Sequence, residues 1–378
     1  MSGRRSHGDG SIFGYRGGFA AVLDLGWSAG RRRRRWVYGR TEAETLAKLD
    51  EAKAQARRGV NLAAKPQTFS EWLDEWLVMK QRVGTRPSTL RGYRWLAETH
   101  LRPSLGRTKL AKVTPTQIRR LLEVKADSGL STATVRHIHA MIRNVLADAE
   151  REELVARNAA KLVRPPALTR PERRALTMEE ARALLASIRG DRLEALWVCA
   201  LSLGLRRGEL LGLRWVDVDQ VAKTVSVRQA LLRVDGRLVL DRPKTSRSAR
   251  TIPAPDVVLK HMREHRTRQV AEQLRAGQRW QDSGLVFTSA IGTPLEPRNV
   301  DRAWHEARKR VGLAWLRLHD LRHACATFLL LTGASPRTVM ETLGHSQIAL
   351  TMNTYAHVLP QVERDAIDQA ARALLGEP

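Results

Sequence analysis

Six side chains in the C-terminal half of this 378-residue chain have the types needed to transfer a phosphoryl group. Tyrosine is scarce, with four in the chain, and Tyr355 is the last of them. It lies in "LGHSQIALTMNTYAHV" (343–358), ten residues after His345. Upstream, "LGLRRGELLGLRWVDVD" places Arg206 at the joint between two expected helices, with Glu209 one turn later. "DRPKTSRSARTIP" places Lys244 in an expected hairpin turn, and "LRLHDLRHACATFLL" sets His319 and Arg322 three residues apart at a helix start. Each alone has an ordinary explanation: Arg206 as a helix cap, Lys244 as a solvated turn lysine, either histidine as a satisfied core group, Tyr355 as packing.

Together they have one chemical meaning. Two arginines can grip both non-bridging oxygens of a phosphodiester, with contacts that strengthen as negative charge builds in the transition state. A phenol is a covalent nucleophile that splits strand exchange into two reversible steps, and its ordinary pKa near ~10 demands a neighbour that takes or shares its proton. A lysine can protonate a departing 5′-oxygen, a much poorer leaving group than phenolate. Because guanidinium groups supply the charge and a phosphotyrosine conserves the bond energy, neither a metal nor a nucleotide cofactor is expected.

Other constellations fail on their own terms. His261 with His265, and His319 with His323, have i,i+4 spacing but lack the glutamate of a zinc helix, and no paired cysteines exist. There is no phosphate-cradling glycine loop, and "GWSAG" (26–30) lacks the strand-to-helix context of a hydrolase nucleophile. Cys199 and Cys325 sit in apolar text and are read as inert core thiols of a reducing compartment.

Three segments must position these groups. Residues 1–62 read as short strands, "GFAAVLDLG" and "RRWVYGR", followed by an Ala/Leu/Glu-rich helix, with the run Arg31–Arg35 placed in the connection between the strands. Residues 66–162 read as four helices, the first opened by a Thr68–Glu71 capping box and the second spanning 88–103. Trp72, Leu73, Trp76 and Leu77 recur at helical spacing and are assigned to the core. A proline- and arginine-rich hinge at 162–175 precedes a mainly helical region, 172–378. That region has a Thr177–Glu180 capping box, a buried helix in "LEALWVCALSLGL" and an Asp235–Gly236 hairpin. The fold class is therefore mainly α with small antiparallel sheets in a multi-domain α+β chain.

A net charge of +26 points to a polyanionic partner, since Lys and Arg gain affinity by releasing counterions condensed on phosphates. The excess is spread along the chain: residues 1–62 and 66–162 each carry +7, and 163–378 carry +11. No apolar run approaches the roughly 18 residues of a membrane helix, and no signal segment opens the chain, so a cytoplasmic, nucleoid-associated protein is expected.

"GLRRGEL", the lysine of "PKTSRSAR", "HDLRHACAT", "LGHSQI" and "TYAHV" resemble, in order and spacing, the motifs of tyrosine recombinases of the phage-integrase type. The resemblance covers essentially the whole chain. It implies an arm-type DNA-binding domain at 1–62, a core-binding domain at 66–162 and a catalytic domain at 172–378. It makes Arg206 and Arg322 the phosphate clamps, Lys244 the general acid, and His319 the proton acceptor or an orienter of the nucleophile. His345 becomes a further donor to the phosphate and Tyr355 the nucleophile of a 3′-phosphotyrosine, while Glu209 orients the clamp from behind. The implied partners are double-stranded DNA attachment sites, further copies of the chain in a homotetramer, a DNA-bending host factor and a directionality factor. A tail stripe of Val362, Ala366, Ile367, Ala370 and Leu374 suits docking on a neighbour or on its own domain. Two alternatives use the same residues differently: a catalytically silent DNA-binding regulator, and a type IB topoisomerase acting on one duplex. The complete set argues against the first, and the additional basic N-terminal segment argues against the second.

Overall fold

The structure, a computed structural model, describes residues 11–28, 31–57, 60–62, 65–168, 174–234, 236–241 and 249–344, and positions 364, 367, 368, 371, 372, 374 and 375 of the tail. Lys244, His345 and Tyr355 lie outside these, as do Asp235, the middle of the 162–175 hinge, and Val362, Ala366 and Ala370 of the tail stripe. The chain divides into two compact units, Met1–Pro171 and Glu172–Pro378.

In the first unit, β1 (Ser11–Tyr15), β2 (Gly18–Ser28) and β3 (Arg31–Gly39) form an antiparallel sheet in that order, followed by α1 (Glu42–Arg57). Strand alternation sends Ala21, Leu23 and Val37 against Leu49 of α1. The opposite face therefore carries aromatics: Phe13 meets Trp36 edge-on at 5.9 Å, and Trp36 stacks on Tyr38 at 6.3 Å, all three partly exposed. The arginine run corrects the sequence expectation. It is the first half of β3 rather than a connection, because β2 continues past Gly26 to Ser28. Gly26, at φ 82°, sits where the register shifts between Asp24 and Trp27, and Asp24 draws Arg32 into a cross-strand ion pair.

The helical part holds α2 (Phe69–Arg82), α3 (Pro87–Leu96), α4 (Arg102–Leu105), α5 (Pro115–Asp127) and α6 (Thr132–Arg151). The Thr68–Glu71 box caps α2 as expected, and Trp72, Leu73, Trp76 and Leu77 are buried with Ile118, Ile138 and Ile142. Trp76 Nε1 donates to Asp148 Oδ2 at 2.6 Å, and Lys80 pairs with the same oxygen at 2.7 Å, so the one buried carboxylate of α6 is satisfied. The expected helix over 88–103 is divided: α3 passes through a π turn, Ala97–Leu101, into α4. Pro103 explains this. It has no N–H to offer a carbonyl one turn back, and the wider turn, with Arg102 N donating to Ala97 O, absorbs the mismatch. His100 in that turn is 5% exposed, lies edge-on to Trp95 at 5.1 Å, and finds no hydrogen-bond partner for either ring nitrogen among the described residues.

The second unit contains α7 (Met178–Ser187), α8 (Glu194–Ser202), α9 (Arg207–Leu211), β4 (Val218–Asp219), β5 (Thr224–Val227), β6 (Ala230–Val234), β7 (Arg237–Asp241), β8 (Arg250–Pro253), α10 (Asp256–Ala276), α11 (Pro297–Lys309), α12 (Leu318–Leu331) and α13 (Pro336–Leu343). The Thr177–Glu180 box caps α7, and α8 is the buried helix expected from its unbroken apolar text, packed between α10 and α12. Strands order as β4-β5-β8, and β6 pairs with β7 so that Val234 faces Arg237, with Gly236 at φ 81° in the two-residue turn. The architecture is mainly helical with small antiparallel sheets. Among the described residues no helix is long and apolar enough to cross a membrane. Of the tail stripe, Ile367 and Leu374 are helical and exposed.

His100 generates a pH prediction. Burial, aided by the charge of Lys125, lowers its pKa below the ordinary histidine value. The unfolded chain therefore binds a proton that the folded chain refuses once pH drops below about 6.5, and stability falls until the lowered folded value is reached. His100→Phe removes this term. Its thermal midpoint should gain on the wild type as pH is lowered from 7.5 to 5.5, in differential scanning fluorimetry; a constant gap would show that His100 does not titrate with folding.

Candidate active site

The backbone creates the site by ending helices at one place. Helix α8 stops at Ser202, and the chain turns through Gly204, at φ 60°, to deliver Arg206 to the N-cap position of α9. Only a residue without a side chain fits here: a Cβ on Gly204 would lie 2.5 Å from Leu343 Cδ2 and 3.2 Å from Cys325 Sγ. The loop is thus pressed against both α12 and the last turn of α13. Helix α13 itself ends at Gly344, whose φ of 64° is a left-handed stop.

The last carbonyls of α13 have no partner further along the helix, and they gather cations. Arg250 Nε donates to Thr342 O at 2.7 Å, Arg322 Nη2 donates to Leu343 O, and Arg206 Nη2 donates to Gly344 O at 3.3 Å. Arg322 also donates through Nη1 to Gly204 O at 2.6 Å, joining the two helix-ending turns. It is 3% exposed. Arginine suits this position because its fork can serve two carbonyls at once and its charge survives burial.

Glu209 stands behind the cluster with its side chain 3% exposed. Its Oε1 accepts from Arg206 Nη1 at 2.6 Å, and its Oε2 accepts from Arg206 N at 3.0 Å and Arg250 Nη2 at 3.1 Å. Burial pushes the carboxyl pKa up, but the Arg250 and Arg206 charges outweigh it and hold the group below the usual carboxylate value. Its negative charge therefore persists and fixes the two guanidinium groups beside it.

His319 lies at the start of α12, one turn before Arg322, edge-on to His323 at 5.1 Å. Its ring reaches solvent on one side. The protein packed around the other side, with the Arg322 and Arg206 charges, lowers its pKa below the ordinary histidine value. A neutral imidazole at pH 7 is a competent proton acceptor. Both thiols are buried, and their pKa values are pushed up to about 12, as expected of inert core cysteines.

The structure thus brings together Arg206, Arg322 and His319 of the six candidates, with Glu209 behind them. Lys244, His345 and Tyr355 fall outside the described residues, although Gly344 immediately precedes His345 in sequence. Sequence reasoning passed over Arg250 and weighed His323 only as a partner of His319 in a zinc pair. Arg250 lies in the quoted stretch "PKTSRSAR", but basic residues crowd that stretch, and only its burial against Glu209 singles it out.

A buried Arg322, a half-buried Arg206 held by Glu209 and a neutral histidine are groups able to stabilise an oxyanion during phosphoryl transfer. Comparisons with known proteins give the family. Residues 174–361 match the phage integrase family, and residues 68–124 match the SAM-like N-terminal domain of phage integrases. The chain is 30% identical over 358 residues to a tyrosine recombinase XerC-like protein of Caldanaerobacter subterraneus, covering 90% of this chain and 92% of that one. The fold is that of the Tn1549 transposon integrase solved with circular-intermediate DNA (TM-score 0.69, 20% identity, 80% of this chain and 99% of that chain). It also matches the lambda integrase tetramer solved on a Holliday junction (TM-score 0.57, 19% identity, 89% and 95%). The chain belongs to the tyrosine recombinase family, of the phage-integrase type. It is accordingly a site-specific DNA recombinase.

The tight seat of Gly204 makes it a sensitive probe. Gly204→Ala is expected to lower stability by about 2–4 kcal/mol, from the left-handed backbone and the forced approach to Leu343. Urea denaturation followed by far-UV circular dichroism measures it; a loss below about 0.5 kcal/mol would mean that α13 yields freely.

Proposed function

We propose that the chain cuts and rejoins double-stranded DNA at attachment sites through a 3′-phosphotyrosine on Tyr355, integrating or excising a mobile element. The observation that carries this reading is the convergence of Arg206 and Arg322 on adjacent carbonyls, Gly344 O and Leu343 O. In the reaction, the Tyr355 oxygen attacks the scissile phosphorus, the new P–O(Tyr) bond forms and the bond to the 5′-oxygen breaks. Arg206 and Arg322 neutralise the non-bridging oxygens, His319 takes or orients the phenol proton, His345 adds a donor, and Lys244 protonates the departing 5′-oxygen, which leaves as a hydroxyl. Rejoining is the reverse attack by a 5′-hydroxyl of the partner strand.

Three DNA-contacting parts fit this chemistry: an arm-type domain at 1–62, a core-binding domain at 66–162 and the catalytic domain at 172–378. The aromatic face of the N-terminal sheet and the arginines of β3 support a second DNA site there, since exposed rings and guanidinium groups suit phosphate and sugar surfaces. Exposed Ile367 and Leu374 in the tail support docking on a neighbouring copy, as a tetramer on two duplexes requires. A DNA-bending host factor and a directionality factor are the remaining partners, and the nucleoid of the cytoplasm is the place of action.

Two experiments test these roles. Tyr355→Phe should bind a nicked duplex carrying the repeated core from the DNA flanking the gene as the wild type does, yet form no covalent protein–DNA band on a denaturing gel. A covalent band in that variant would sink the assignment of the nucleophile. Separately, replacing Arg32, Arg33 and Arg34 with Ala should weaken binding to distal arm sites and leave core cleavage unchanged. The log–log salt dependence at the arm sites should flatten by about 0.9 for each phosphate that the variant no longer neutralises. Equal weakening at core and arm sites would refute separate DNA-binding roles.

A further inference from the structure

Arg250 is the third arginine at the end of α13, and the reaction above gives it no part. It opens β8, with its side chain 7% exposed, and reaches Glu209 Oε2 at 3.1 Å and Thr342 O at 2.7 Å. What it does follows from how Glu209 divides its oxygens. A carboxylate facing one arginine prefers to take both prongs of its fork. In this site Oε2 is occupied by Arg250 and by the backbone N–H of Arg206, so Arg206 offers the carboxylate only Nη1. Its Nη2 remains turned toward Gly344 O, next to the carbonyl that Arg322 engages.

We propose that Arg250 is a positioning residue for DNA cleavage: it occupies the second oxygen of Glu209 and ties β8 to Thr342, which keeps Glu209 from drawing Arg206 back into a two-pronged ion pair. The inference rests on the recombinase reading given above. Without Arg250, a buried carboxylate faces Arg206 alone, and the outer nitrogen of Arg206 turns inward. Replacing Glu209 with the neutral amide as well removes that pull. The two substitutions should therefore oppose each other in the reaction rate, as sites that share a partner do.

The test uses the full-length chain in single-turnover cleavage at saturating duplex, the nicked repeated-core DNA carrying either a normal scissile phosphodiester or a methylphosphonate, which has one charged oxygen fewer. Arg250→Met is expected to slow cleavage of the phosphodiester by about 10- to 100-fold, less than or comparable to the loss of a direct oxyanion donor. Duplex affinity should stay within about twofold, because Arg250 acts on the charge that develops in the transition state. The deficit should shrink on the methylphosphonate, and Arg250→Met with Glu209→Gln, whose amide oxygen can still accept from Arg206, should recover part of the rate on the phosphodiester. A purely structural arginine would lower both substrates alike. Should Arg250→Met fail to fold, as judged by its thermal midpoint, Arg250→Lys decides: it keeps the charge but cannot span both partners, and the same shift in the two-substrate ratio is expected. Cleavage by Arg250→Met at the wild-type rate, or an equal loss on both substrates with no recovery in the double variant, overturns the role. A wild-type chain that forms no adduct on either duplex overturns the recombinase reading instead, and the inference with it.

Discussion

The carbonyl end of α13 is the constraint around which the second unit is arranged. A helix end presents acceptors and the negative pole of the backbone dipole, and it must be met by water, by a following turn or by cations. Here three arginines from separate stretches, before α9, at the start of β8 and inside α12, each take one of three successive carbonyls. Their side chains are therefore fixed relative to one another before any DNA arrives. An oxyanion site needs donors that do not have to reorganise during the reaction, and the helix-end carbonyls, with Glu209 behind them, hold these guanidinium groups in place.

The same arrangement carries a second consequence. Positive groups packed together repel, and the cluster is tolerable because Glu209 lies behind two of them and the carbonyl dipoles lie in front. The cost is geometric precision: Gly204 leaves no room for a methyl group, and Arg322 spans two turns that close on each other.

Much of this was legible in the residues themselves. The capping boxes at Thr68 and Thr177, the core helix from 194 and the hairpin at Gly236 follow from local rules that tertiary structure had no reason to override. Of the candidate set read from residue types in order, Arg206, His319 and Arg322 lie together. Two features escaped. The arginine run was placed in a connection because five cations look like a solvated loop; the bulge at Gly26, which lets β2 run on to Ser28, depends on cross-strand pairing that one strand's text does not contain. Arg250 escaped because burial of a charge is a property of what folds against it, here Glu209 from about forty residues upstream. The π turn was hidden in a different way: Pro103 announces a disturbance, but whether a helix breaks or widens is settled by packing around it.

The two buried cysteines have a practical bearing on how this molecule is studied. At neutral pH almost no thiolate is present at either sulfur, and neither is open to a bulky reagent. Maleimide dyes should therefore pass over the native chain, and a cysteine introduced on the outer face of β3 or at the exposed Leu374 would be labelled selectively. The wild-type background is thus already suited to site-specific fluorescence measurements on this recombinase.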